Sequence, residues 1–169
     1  MVLFSLATGL RQGNVLKLEW SQVNLEQERA WIHGWQSKSR RPIAVPLNNM
    51  ALAVLRQELG KHPDRVFTFQ GEPLNSVSTK AWRKALKRVG SDDFRWHDLR
   101  HTWATWQRQA GTPTHELQHL GGWRTGAMVE RYAHLAPDHL ANAAKRLDGV
   151  LAGYDSATGT AKRKGSFRN

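Results

Sequence analysis

Apolar residues fall in short blocks along this chain, and most blocks are closed by a residue that ends regular structure. Residues 2–8 form an apolar run stopped at Gly9, which predicts a short buried helix. One or two helical turns fit residues 12–18. The period then changes. Residues 23–25, 29–35 and 42–47 read as strands joined by the polar turns 26–28 and 36–41, and together they predict a small antiparallel sheet. Helical spacing returns at 49–59, where Met50, Leu52, Val54, Leu55 and Leu59 precede Gly60. A short strand at 66–69 interrupts it. Residues 78–89 predict a helix with a basic face of Lys80, Arg83, Lys84, Lys87 and Arg88, closed at Gly90, and 97–110 a further helix closed at Gly111. Thr112 as N-cap and Pro113 as first helical residue start the next helix, which ends at Gly121-Gly122. Thr125 caps a short helix carrying Glu130, Arg131 and Tyr132. Pro137 precedes an amphipathic helix over 138–151, and the small, polar and basic residues 156–169 read as disordered. The fold class expected is α+β, mainly α-helical, with a small three-stranded antiparallel sheet near the N-terminus.

Composition narrows the partner. The 169 residues suit one domain with a real core, and 40% hydrophobic residues with eight tryptophans indicate a folded chain. A formal charge of +11, from 25 Lys+Arg against 14 Asp+Glu, points to a polyanion. Nucleic acid is the commonest, because neutralising phosphates releases condensed counterions; an anionic membrane surface or a ribosomal site also fits charge alone. With no cysteine there is neither a disulfide framework nor a thiolate zinc site, and the composition suits a reducing cytoplasm. No apolar run approaches the ~20 residues needed to cross a bilayer, so no membrane partner is expected. The apolar opening has no basic flank, cleavage site or capping residue, which reads as a buried helix met part-way. The expected organisation is one folded domain over 1–151 with a truncated N-terminal edge, followed by a basic tail over 152–169.

Four polar clusters fall where the chain turns. They are Thr8-Gly9-Leu10-Arg11; Ser37-Lys38-Ser39-Arg40-Arg41; His97-Asp98-Leu99-Arg100-His101; and Gly121-Gly122-Trp123, followed nine positions later by Tyr132. Arginine suits a phosphodiester because its planar fork donates two parallel hydrogen bonds and keeps its charge. Two arginines from distant segments could clamp both non-bridging oxygens and stabilise a pentacoordinate transition state. Beside them a tyrosine could act as nucleophile, a histidine could accept the phenolic proton, and a lysine could protonate the departing oxygen. Each residue alone has a plainer reading: a surface ion pair for Arg11, a solvated turn for Lys38, a helix cap for His97, core packing for Trp123 and Tyr132.

Taken together and in this order, the clusters resemble the tyrosine recombinase (phage integrase) family over nearly all of residues 1–150. The His97-x-x-Arg100-His101 box and the segment Glu130-Arg131-Tyr132-Ala133-His134-Leu135 carry the most characteristic neighbours. The resemblance implies that Arg11 and Arg100 hold the scissile phosphate and that Lys38 protonates the leaving 5′ hydroxyl. It implies that His97 assists proton transfer, that Trp123 contacts the phosphate or packs the pocket, and that Tyr132 forms a 3′-phosphotyrosyl link. His101 is given a supporting role. The sequence departs from the family pattern at Asn14, where many members are acidic, and at Trp123, where histidine is commoner. The expected activity is site-specific cleavage and rejoining of double-stranded DNA by a bacterial or phage-encoded enzyme in the cytoplasm, acting as a homotetramer on DNA. No cofactor and no metal are expected, and residues from 138 onward are the candidates for exchange between protomers. A type IB topoisomerase-like relaxing activity and a non-catalytic DNA-binding module are the alternatives.

Overall fold

A computed structural model describes residues 1–77 and 79–135, together with Lys145 and Asp148. Contacts gather Met1–Ala136 into one compact unit. Apart from Lys145 and Asp148, the expected helix over 138–151, the tail and the division at residue 151 fall on residues outside the described set.

The chain begins with α1 (Val2–Thr8), which ends where Gly9 takes the left-handed conformation at φ 63°. An added Cβ at Gly9 would lie 2.2 Å from the Trp103 ring, so glycine answers both a conformational and a steric demand there. The short α2 (Gln12–Leu16) follows, with Arg11 as its extended N-cap; helical structure stops short of the expected Leu18. A 3-10 turn at Trp20–Gln22 leads into the sheet.

Strands β1 (Val23–Asn24), β2 (Arg29–Ile32) and β3 (Ile43–Pro46) pair antiparallel in the order β1-β2-β3. In the β2–β3 register Ala30 faces Val45 and Ile32 faces Ile43, and all four are buried. One face of the sheet therefore lies on the core, as period-two alternation requires. Strand β2 is shorter than expected. Gly34–Gln36 form a 3-10 turn instead, in which the Gln36 side chain accepts the His33 backbone N–H at 3.2 Å.

Helix α3 (Asn49–Glu58) is capped by the Asn48 side chain, which accepts from the Ala51 N–H at 3.0 Å. Where a single strand was expected, Thr68–Phe69 (β4) and Glu72–Pro73 (β5) make a small hairpin. Helix α4 (Lys80–Arg88) is capped by Thr79 and buries Leu86 beneath its basic face. Helix α5 (Trp96–Gln109) starts one residue before the expected His97. In α6 (Thr114–Gly121) Pro113 is itself the N-cap, so the helix starts later than the Thr112 cap anticipated. The last turns are α7 (Ala127–Glu130) and a 3-10 segment at Ala133–Leu135. Tyr132 lies between them in a turn, not on the helix as expected, and Thr125 supplies a backbone carbonyl to Met128 rather than a side-chain cap.

The main core lies between the sheet, α1 and α3, centred on Phe4, Ile32, Leu52, Leu55 and Phe67. A second core joins α5, α6 and α7 through Trp103, Ala104, Leu117, Val129 and Tyr132. The α+β, mainly helical class with a three-stranded antiparallel sheet is the architecture found. Among the described residues no helix is long and apolar enough to cross a membrane.

Candidate active site

The site forms where the second core meets the α1–α2 junction. Arg100 sits on the buried face of α5 at 4% exposure, and its position is over-determined. Its Nη1 donates to the Gly9 carbonyl at 2.6 Å, and its Nη2 donates to the Gly121 carbonyl at 2.5 Å. Its Cζ lies 4.0 Å from the centroid of the Trp123 ring, within cation–π range. Two left-handed glycines, Gly9 and Gly122, turn the chain so that these carbonyls point inward. Trp123 in turn lies nearly parallel to Trp103, with ring centroids 6.0 Å apart. The guanidinium therefore cannot swing; the donors not used by the two carbonyls have one fixed direction.

Arg11 is half-buried at the start of α2, and its charge interacts with those of Arg100 and His97. Burial lowers the pKa of both arginines. For Arg100 burial, and after it the charge of Arg11, brings the value down to about 9, with Tyr132 opposing. Two guanidinium cations with no carboxylate ion-paired to either among the described residues make a site suited to an anion.

Tyr132 is 5% exposed, and its Oη lies 2.5 Å from His101 Nδ1. Burial raises its pKa, while Arg131, by charge and hydrogen bond, and Arg100, by charge, pull it back. His97 stands one turn before His101 on α5, and the two rings meet edge to face with centroids 4.9 Å apart. Partial burial, and then the charges of His101, Arg100 and Arg11, lower the His97 pKa against the pull of Asp98. The arrangement holds a phenol against an imidazole nitrogen, with guanidinium groups close enough to stabilise an anion.

Of the six residues singled out from sequence, Arg11, His97, Arg100, Trp123 and Tyr132 are joined by contacts or by electrostatic interaction. Lys38 is exposed in the turn between β2 and β3 and takes part in none of these interactions. Sequence reasoning gave His101 a supporting role and did not pair it with Tyr132, whose hydroxyl its Nδ1 touches. The signal was present: positions 97, 100 and 101 share one face of a helix. It also missed the carbonyls of Gly9 and Gly121. Asn14, at the position where acidic residues are common, is buried on α2. Among the described residues no group of three or more His, Asp or Glu side chains is placed to hold a metal ion.

Comparison with known proteins bears on the family and the fold. The model of the phage integrase family matches residues 1–139. The integrase of Salmonella phage P22 is 46% identical over 164 residues, which cover 89% of this chain and 42% of that protein. The shufflon-specific DNA recombinase of Escherichia coli is 31% identical over 137 residues, covering 79% of this chain and 34% of that protein. The chain thus spans less than half the length of these relatives. Among solved structures, the catalytic domain of bacteriophage HP1 integrase superposes with a TM-score of 0.61 at 26% identity, covering 85% of this chain and 79% of that one. The XerA recombinase gives 0.62 at 24% identity, covering 84% and 54%, a likeness of fold.

Proposed function

The chain belongs to the phage integrase family, and from that premise we propose that it is the catalytic part of a tyrosine site-specific recombinase acting on double-stranded DNA. The observation that carries this reading is the meeting of Tyr132 Oη with His101 Nδ1 at 2.5 Å beside the Arg11–Arg100 pair. The raised pKa of Tyr132 means that its phenol keeps its proton at neutral pH, so attack needs a base. His101 is in place to take that proton, and His97, held neutral by its surroundings, is the next imidazole along.

In the reaction proposed, Tyr132 Oη forms a bond to the scissile phosphorus as the bond to the 5′ oxygen breaks. The phenolic proton passes to His101, and Lys38 protonates the departing 5′ oxygen after the β2–β3 turn closes on DNA. Arg11 and Arg100 hold the non-bridging oxygens and neutralise the charge that builds up on them. Trp123 stacks on Arg100 and fixes its fork. The 5′ hydroxyl of a second strand then attacks the phosphotyrosine, giving its proton to Lys38 while His101 returns the phenolic proton to Tyr132 Oη, which releases the enzyme. The ester conserves the energy of the cleaved bond, so no nucleotide cofactor is required. A homotetramer on paired sites, working in the cytoplasm, completes the proposal.

Nicked duplex DNA that traps the intermediate tests this reading, with the protein run beside Tyr132→Phe on a denaturing gel. A denaturation-resistant protein–DNA band lost in the variant is expected. A band that persists in the variant would overturn the assignment of Tyr132 and turn attention to Tyr154. Relaxation of supercoiled DNA without strand exchange would favour the topoisomerase-like alternative. Duplex binding with no covalent product from the wild type would favour a non-catalytic module.

A further inference from the structure

Trp35 is the most exposed large hydrophobic residue among those described, with 79% of its surface accessible. A tryptophan this open leaves a large apolar area with much to gain from burial. It is not carried on a loose loop. It lies in the 3-10 turn Gly34–Gln36, whose two ends are tied together by Gln36. The Gln36 Oε1 accepts from the His33 N–H at 3.2 Å and from Gln22 Nε2 at 2.8 Å, and Gln22 Nε2 also donates to the Trp31 carbonyl at 2.7 Å. Gly34 allows the turn to close, because a Cβ there would lie 2.9 Å from the Arg40 carbonyl. The His33 ring lies nearly parallel to the indole, 10° from it with centroids 5.9 Å apart. The turn thus presents a braced aromatic plate.

Its surroundings say what that plate meets. Lys38, Arg40 and Arg41 follow in the same connection, and no acidic residue occurs between His33 and Pro42. The connection leaves the sheet at the Ile32–Ile43 pair. Ile43 abuts Gly122, where an added Cβ would lie 2.3 Å from its Cδ1, and the neighbouring Gly121 carbonyl holds Arg100. The basic turn therefore springs from the edge of the arginine site.

We propose that Trp35 packs the open face of its indole against the sugar-and-base edge of the DNA strand beside the scissile phosphate, as an aromatic anchor within a basic clamp formed by Lys38, Arg40 and Arg41. This rests on the reading of the chain as a DNA strand-transfer enzyme. An aromatic surface flanked by cations suits a nucleic acid, because the rings take up base or sugar surface while the cations meet phosphates. The anchor would hold the turn down on the duplex and so bring Lys38 to the leaving oxygen. Trp35 is accordingly a positioning residue.

The test compares wild type, Trp35→Ala, Trp35→Phe and Arg40→Ala for affinity to a short random-sequence duplex across a salt series, and for covalent product on the nicked duplex. Trp35 supports no core, so the variants should melt with the wild type. Trp35→Ala is expected to bind about tenfold more weakly with an unchanged salt slope, since apolar packing is lost and no charge is. Trp35→Phe should recover most of that affinity, and Arg40→Ala should lower the slope itself. Equal binding and equal covalent product for Trp35→Ala and wild type would overturn the role of Trp35 while leaving the enzyme reading intact. Unchanged DNA binding with altered self-association in sedimentation would also overturn it, assigning the plate to a protein surface. A wild type that neither binds duplex nor forms covalent product would overturn both.

Discussion

His101 Nδ1 and Tyr132 Oη lie 2.5 Å apart, although 31 residues separate them in the chain. The contact unites α5 with the turn after α7, and in the reaction proposed above it gives the first proton transfer to a residue one helical turn beyond His97. His101→Ala should slow covalent-complex formation by roughly a hundredfold to ten-thousandfold, the usual worth of a positioned general base. His101→Gln, which can still hydrogen-bond the phenol, should recover position without the proton chemistry. Single-turnover rates on nicked duplex would separate the two: partial rescue by His101→Gln is expected, and a glutamine variant as fast as wild type would leave the imidazole no part in proton transfer.

Arg100→Lys should fail as a conservative change. An ammonium cannot reach the Gly9 and Gly121 carbonyls together while stacking on Trp123, and it would leave a buried acceptor without a partner. A loss of roughly 2–4 kcal/mol in denaturant unfolding is expected, together with loss of covalent product. Unchanged stability would show that the two carbonyl bonds contribute little.

Arg11→Ala should abolish the chemistry and yet stabilise the free protein. The charge of Arg11 adds to burial in opposing protonation of Arg100, so its removal relieves a repulsion of about 0.5–1 kcal/mol after solvent screening. Added phosphate or sulfate should raise the melting temperature of wild type more than that of the variant. A variant that melts lower, with or without anion, would contradict this.

The pH dependence of DNA binding follows from the same pair. The folded-state pKa of Arg100 is depressed to about 9, so its charge is available below that value and lost above it in the free protein. Affinity for a short duplex should fall as pH rises through about 9, beyond any fall seen in Arg100→Ala. In Arg11→Ala the fall should move to higher pH. The sign is opposite for folding: because the unfolded chain keeps the proton longer, the penalty of the buried charge is relieved as pH rises past the folded value. Fluorescence anisotropy and thermal melts over one alkaline series would check both directions.

Gly9→Ala should destabilise by roughly 2–3 kcal/mol, since the new Cβ meets both a left-handed backbone and the Trp103 ring. The Gly9 carbonyl holds Arg100, so activity should fall further than the loss of folded protein explains. Gly13→Ala is the control, because nothing lies near its added Cβ. Equal melting temperatures for the two variants would remove the steric argument.

Much of this was open to sequence reading, because it depends on neighbours. Glycine at the ends of α1 and α6, the period-two alternation that buries Ile43 and Val45, and the basic face of α4 are local patterns. The order of the arginine, histidine and tyrosine clusters was legible for the same reason. What stayed hidden was decided elsewhere. Trp35 continued an apolar alternation and was read as strand, yet Gln22, in another element, closes the turn around it. Tyr132 sat in helical spacing, yet its hydroxyl is drawn to His101 from a turn.

The sequence by itself determined which side chains could do this chemistry, since residue type fixes charge, nucleophilicity and local conformational preference. Only the tertiary structure decided which of them meet. Arg100 reaches carbonyls 91 and 21 residues away, and no local pattern encodes such a distance. Packing of Trp103 and Trp123 against two glycines sets it, because a buried guanidinium must find acceptors wherever the folded backbone turns them inward.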